Sequence, residues 1–274
     1  MIRYNTSNVA PAYALRYCWY GWLSEGSEFT WPDGLSTRIG PLWANDGLRV
    51  LSATRKREQV SILFSTTPNV SPIFLTQRAK GRLVHQLRIE QVPCTFSRKV
   101  SLRALGENNQ NEVEDYIASQ VDKEQFVDPR FSERMKKFHC SWDDVNLEVP
   151  IAVSHGRYWY SLHIVLVTDG RYRIGCRSTL EAIKSGLIAV REKESYCYKS
   201  LQVMPDHLHV LLQANVEQSP AEVVERIQNA TASSVGSRLW RETFYVGTVG
   251  SYSINVIRDR ALALPTRGRQ GPAA

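Results

Sequence analysis

Apolar residues in this chain come in short runs, alternating or continuous, broken by polar turns, and the same order of runs occurs twice. The stretch Tyr13-Ala-Leu-Arg-Tyr-Cys-Trp-Tyr-Gly-Trp22 reads as a first buried strand. Its counterpart is Tyr160-Ser-Leu-His-Ile-Val-Leu-Val-Thr168, also rich in aromatic and β-branched residues. Residues 56–72 lie over residues 204–220 without a gap, so that Ile62, Leu63 and Phe64 fall on Val210, Leu211 and Leu212. Ser71-Pro72 then falls on Ser219-Pro220, and both pairs predict a helix with Ser as N-cap and Pro at its first position. Arg78 falls on Arg226 within those helices. Further on, Val100 to Gly106 matches Phe244 to Gly250, and each Gly precedes a polar turn and a short helix. These helices are predicted over Asn111 to Gln120 and over Ser253 to Leu264.

Each copy therefore reads β–α–β–α–β–α. With antiparallel pairing, that order predicts an α+β fold of two tandem ferredoxin-like (RRM-like) repeats. The expected division is a front repeat over 1–122, a tether over 123–154, a rear repeat over 155–265 and a basic, disordered tail over 266–274. The tether is polar, contains Pro129 and Pro150, and holds one predicted short helix over Phe131 to Phe138.

Composition narrows the class without naming it. The chain has 274 residues, 43% hydrophobic and 22% charged, as ordinary globular domains do. No apolar run approaches the roughly 18 residues that span a bilayer. The first residues lack the layout of a signal peptide, so a cytoplasmic, nucleoid-associated location is expected. Five scattered cysteines without C-x-x-C spacing argue against a disulfide framework or a zinc ribbon. The net charge of +7 fits a polyanionic partner.

Val203-Met-Pro-Asp-His-Leu-His-Val-Leu-Leu212 carries the sharpest chemical signal. Side chains alternate along a strand, so His207 and His209 point to one face and can hold a divalent metal together. A pair of half-buried sheet histidines is the plain alternative. The two copies differ where this chemistry lies. In place of His207 and His209 the front copy has Gln59 and Ser61. In place of Tyr116 and Gln120 the rear copy has Arg260 and Leu264. The histidines occur in one copy only, the tyrosine and glutamine in the other.

Met-Pro-Asp-His-Leu-His-Val-Leu-Leu, the Ser-Pro helix after it, Phe244-Tyr-Val-Gly-Thr-Val-Gly250 and the Tyr-Ile-x-x-Gln helix together resemble the HUH-type single-tyrosine transposases. These are the TnpA-like enzymes of small bacterial insertion sequences and their REP-associated relatives. The rear copy resembles them over almost its whole length, the front copy in its strand–helix core and tyrosine helix. The resemblance implies a dimer whose sheets merge, here fused as a pseudo-dimer, in which one subunit's tyrosine helix completes the other's histidine strand. It implies metal-dependent cutting and rejoining of single-stranded DNA, at hairpin-forming ends, through a 5′-phosphotyrosine. Carried over by residue, Tyr116 is the nucleophile, and His207, His209 and Gln120 are ligands for Mg²⁺ or Mn²⁺. Tyr116 and Gln120 are four apart and share a helix face. Asp206 is either a support for the histidines or a turn residue after Pro205.

The chain is thus expected to be a monomer acting as a pseudo-dimer, open to higher assembly, with single-stranded DNA as partner and no membrane. Arg78, Lys80, Arg82 and Arg226 are candidate phosphate contacts. Trp19, Tyr20 and Trp22 are read as packing the core or the seam, with base stacking as the alternative. His163 is read as packing on a sheet face, and Tyr245 and Tyr252 as strand and loop residues. Two rival functions are a DNA-binding remnant without catalysis and an unrelated metal hydrolase using His207, His209 and Asp206.

Overall fold

The computed structural model describes residues 3–5, 8–27, 30–32, 34–124 and 126–251. Its front half runs β1 (Ala10–Ala14), β2 (Arg16–Leu23), α1 (Leu35–Asn45), β3 (Leu48–Lys56), β4 (Gln59–Thr66), α2 (Pro72–Ile89) and β5 (Phe96–Leu105). Strict alternation along β2 sends Tyr17, Trp19 and Leu23 into the core and leaves Cys18, Tyr20 and Trp22 on the opposite face. The buried set packs with Ile39 and Trp43 of α1 and Leu75 and Leu83 of α2. Trp43 meets Phe64 edge-on, with centroids 5.2 Å apart. Helix α2 begins as its sequence predicts, with Ser71 accepting from the Phe74 amide and Pro72 in the first turn.

Next come α3 (Gln110–Ala118), α4 (Gln120–Lys123), α5 (Pro129–Lys136), β6 (His139–Ser141) and β7 (Ile151–Val153). The rear half is β8 (Gly156–Trp159), β9 (Ser161–Thr168), α6 (Arg177–Glu194), β10 (Cys197–Val203), β11 (His207–Gln213), α7 (Pro220–Val235) and β12 (Trp240–Val249). No helix among the described residues is long and apolar enough to cross a membrane.

Two six-stranded sheets result, in the orders β3-β4-β2-β5-β8-β7 and β1-β12-β9-β11-β10-β6. Within them, β3-β4-β2-β5 and β10-β11-β9-β12 share one order and one connectivity, β–α–β–β–α–β. The extra strand in each half, β3 or β10, was not expected. Both carry polar residues in positions that alternation alone does not mark, and both are held by hairpin pairing to β4 or β11.

The sheets do not merge, contrary to expectation. Instead each half lends its leading strand to the other's sheet: β1 pairs parallel with β12, and β8 pairs parallel with β5. The expected first strand is therefore two strands, broken at the buried Leu15, where the chain passes between sheets. Tyr160 occupies the matching break in the rear half. Arg16 faces Leu105 as Ser161 faces Val249, so Leu15, not Tyr13, is the positional equivalent of Tyr160.

Other contacts between the halves are reciprocal too. The Ile73 amide donates to the Val216 carbonyl (3.2 Å), and the Ala221 amide to the Pro68 carbonyl (2.9 Å). A Cβ on Gly106 would meet the Thr248 carbonyl oxygen at 2.6 Å, and one on Gly250 would meet the Ala104 oxygen at 2.6 Å. The two chain segments cross there at a distance only glycine permits.

The segment 123–154 is not a bare tether. It contributes β6 to the rear sheet, through Cys140 opposite Leu201, and β7 to the front sheet, through Ala152 opposite Arg157. Three-residue strands have no periodicity to read and exist because existing sheet edges pair with them. The rear helix expected over Ser253 to Leu264, with Arg260 and Leu264, lies outside the described residues, as do Tyr252 and the basic tail.

Candidate active site

Strand β11 follows a tight turn in which the Met204 amide donates to the His207 carbonyl. Thr168 closes the turn from β9, its amide and hydroxyl both reaching the Asp206 carbonyl, at 2.9 and 3.1 Å. Asp206 is thus a turn residue through its backbone. Its carboxylate serves the site as well: Oδ1 lies 2.7 Å from His207 Nδ1. That contact fixes the ring and turns Nε2 outward.

His209 is buried and stacks nearly parallel to His163 of β9, at 19° and 5.3 Å. His163 Nε2 and His209 Nδ1 are 3.1 Å apart. The His209 ring meets His207 at a right angle, 5.0 Å between centroids. Its Nε2 is buried without a hydrogen-bond partner. Burial, then the neighbouring His163, His207 and Lys123, push the His209 pKa well below the ordinary 6.5. Burial lowers His163 to about 4. Both imidazoles are neutral at physiological pH, the form that ligates a metal.

The open face of this sheet is roofed by α3, which comes from the front half. Asn109 caps α3 by accepting from the Glu112 amide (3.0 Å), while Glu112 accepts from the Asn109 amide (2.7 Å). Gln110 is tied to the rear half by donating its amide to the Gly250 carbonyl, 3.1 Å away. Val113 and Ile117 then bury against Leu211, Val249 and Leu147. Leu211 continues the stripe of His207 and His209, so α3 anchors on the face that carries the histidines. Val113, Tyr116 and Ile117 occupy one face of α3 by their spacing.

That seat puts Tyr116 over the imidazoles. Its ring lies edge-on to His209 at 5.4 Å and to His163 at 6.2 Å. It is 44% exposed, so the phenol is accessible to a polymer in solvent. Lys123 places its ammonium 4.1 Å from the ring centroid. Gln120 does not continue the same helix. The chain kinks at Ser119, and Gln120 opens α4. It still reaches back one turn, donating Nε2 to the Tyr116 carbonyl at 2.7 Å and leaving its amide oxygen as the atom a cation would use.

Sequence reasoning missed His163 as a site residue. It stands diagonal to His209 across the β9–β11 ladder, where Val165 is directly opposite His209 and His163 opposite Leu211. Its matching parity was visible in the sequence, but the register between strands was not. Tyr245, on β12, adds a fifth ring, 6.0 Å from His163.

The candidate DNA-binding side chains lie elsewhere and have partners. Arg82 grips Asp46 with two nitrogens, at 3.0 and 3.2 Å. Arg78 shares that carboxylate at 3.8 Å and covers Phe74. Lys80 donates to the Ser97 carbonyl (2.7 Å), and Arg226 to Glu194 (2.9 Å). On α2 and α7 they are not gathered around Tyr116.

Comparison with known proteins finds similarity in this rear half. Residues 157–259 match the IS200-like transposase family. The ISDra2 transposase TnpA of Deinococcus radiodurans is 24% identical over 116 residues, spanning 37% of this chain and 83% of that protein. Among solved structures, one ascribed to a transposase of Deinococcus radiodurans is 21% identical, covers 37% of this chain and 88% of its own, and has a TM-score of 0.31. A REP-associated tyrosine transposase bound to a REP hairpin is 12% identical, with coverages of 36% and 61% and a TM-score of 0.30.

Proposed function

We propose that this chain, whose rear half matches the IS200-like transposase family over residues 157–259, is a fused, internally duplicated dimer of that kind that cuts and rejoins single-stranded DNA at one composite site. The observation that carries this reading is the seat of Tyr116: a helix of the front half holds it over His209 of the rear half. The duplication is supported by the shared strand order and the reciprocal contacts, which are what a two-fold interface generates.

In this reading Tyr116 is the nucleophile. Its oxygen attacks the phosphorus of a phosphodiester and loses its proton to solvent. The bond to the 3′ oxygen breaks, and that oxygen takes up a proton as a free 3′-OH. The 5′ phosphate stays on the tyrosine, so a 3′-OH can later attack it and restore a diester without ATP. Lys123 lies where its charge offsets the negative charge gathering on the phosphate.

His207, His209 and Gln120 are the proposed ligands of a divalent metal. The donor set suits one: His209 Nε2 is an orphaned buried nitrogen, and each histidine has its other nitrogen anchored, on Asp206 or on His163. Mg²⁺ or Mn²⁺ bound there would polarise the scissile phosphate, and imidazole favours Mn²⁺. His163 is a positioning residue that holds His209 with Nε2 free. A DNA hairpin is the proposed substrate form, and the REP-associated relative is bound to one.

The test is incubation with labelled single-stranded hairpin DNA and Mn²⁺, then a denaturing gel. A protein-linked band is expected, lost in Tyr116→Phe and in His207→Ala. Cleavage persisting in Tyr116→Phe would defeat the proposal and favour a hydrolase.

A further inference from the structure

The face of the front sheet that corresponds to the histidine face has lost that chemistry but is not blank. Strand pairing arranges its side chains in rows. Ser61 lies opposite Tyr20, Tyr20 opposite Ser101, and Ser101 opposite Arg157. The next row runs Cys18, Arg103, Trp159, and Gln59 lies opposite Trp22. The residues of these rows other than Cys18 and Ser61 border a cleft of about 560 Å³. Two indoles (Trp22, Trp159) and the Tyr20 phenol line it, with three cations, Lys99, Arg103 and Arg157. No carboxylate among the described residues lines it. The Arg103 guanidinium stacks on Trp159, 3.7 Å from the centroid, so it presents a flat cationic surface. The Trp159 indole is itself held by donating to the Glu148 carbonyl at 2.7 Å.

We propose that this cleft is a second, non-catalytic site that holds a single-stranded DNA segment. Flat rings on a rigid sheet stack on unpaired bases of any identity, and cations between them meet the phosphates. Duplex bases are already stacked and cannot lie on such a surface. The site answers a need of the proposed reaction, because a single composite centre must keep one strand while it acts on another. The inference rests on the strand-transfer reading for its choice of polymer.

Binding is read without cleavage, using the full chain carrying Tyr116→Phe and no metal. Fluorescence anisotropy with a labelled short thymidine oligonucleotide should show at least about five-fold weaker binding in Trp22→Ala. Arg157→Ala, a change at an exposed position, should weaken binding and flatten the salt dependence by about 0.7 in log–log slope. Iodouracil in the same oligonucleotide should photo-crosslink the unaltered cleft at Tyr20, Trp22 or Trp159, read by peptide mass spectrometry. Cross-links only outside the cleft, unchanged affinity in both variants, or equal binding of a duplex would each overturn the proposal. Adduct formation at Tyr116 is a separate measurement, so the two readings fail independently.

Discussion

The two sheets share the order of their four central strands and differ in what their open faces carry. In the rear, His163, His207 and His209 are packed beneath a helix donated by the front, with the His163 and His209 rings neutral and His209 Nε2 buried without a partner. In the front, the positions opposite the same neighbours are Cys18, Gln59 and Ser61, and the surrounding rows have gained Tyr20, Trp22 and Arg103. In both halves the face beneath the two long helices is apolar core. The other face is covered by α3 in the rear and borders an open cleft in the front, so its residues differ most.

The sharpest way to break this comparison is to change matching residues. His209→Ala removes the orphaned nitrogen and should lower adduct formation by a factor of about 10² or more, as loss of a ligand or its support does. Ser61→Ala, at the equivalent front position, should leave it within about two-fold, as exposed surface changes do. Rates from single-turnover adduct gels decide it. Comparable losses in both would mean that the front face shares in the chemistry.

Acid should also separate the halves. His163 titrates near 4 in the folded chain against an ordinary 6.5, so between those values the unfolded chain binds the extra proton. Stability therefore falls as pH drops from about 6.5 to 4, and the rear half carries the loss because Cys18 stands in the front. The ceiling is about 3 kcal/mol for this one group, at 1.36 kcal/mol per unit, lowered by residual solvent at the ring. Urea-unfolding midpoints at pH 7 and 4.5 should differ less in His163→Leu than in the unaltered chain. Equal differences would show that the burial of His163 is not what makes the fold acid-sensitive.

The same contrast explains what the sequence made legible. The histidine stripe, both Ser-Pro helix starts and the tyrosine helix were readable because each is a local pattern: alternation, capping, a four-residue spacing. The exchange of β1 and β8 was not, since which edge a strand pairs with is decided by the partner's position. His163 was hidden for the same reason, and β6 and β7 are too short to carry a period. The kink at Ser119 has no Gly or Pro to announce it, and Gln120, buried just after it, still donates to the Tyr116 carbonyl.

The smallest effect concerns how α3 is held. It has nine residues, too few for a helix to persist alone in water. Its capping box and the burial of Val113 and Ile117 keep it on the histidine face. Asn109→Ala should cost about 1 kcal/mol of local stability. Undocking of α3 takes Tyr116 with it, so the adduct rate should fall, by no more than the roughly five-fold that such an energy represents. Asn109→Asp, which keeps an accepting oxygen, should restore it. Ser71→Ala removes the cap of α2, which carries none of the proposed site, and should cost similar stability with the rate unchanged. If Ser71→Ala slows the adduct as much as Asn109→Ala, the rate is following global stability and not the docking of the tyrosine helix.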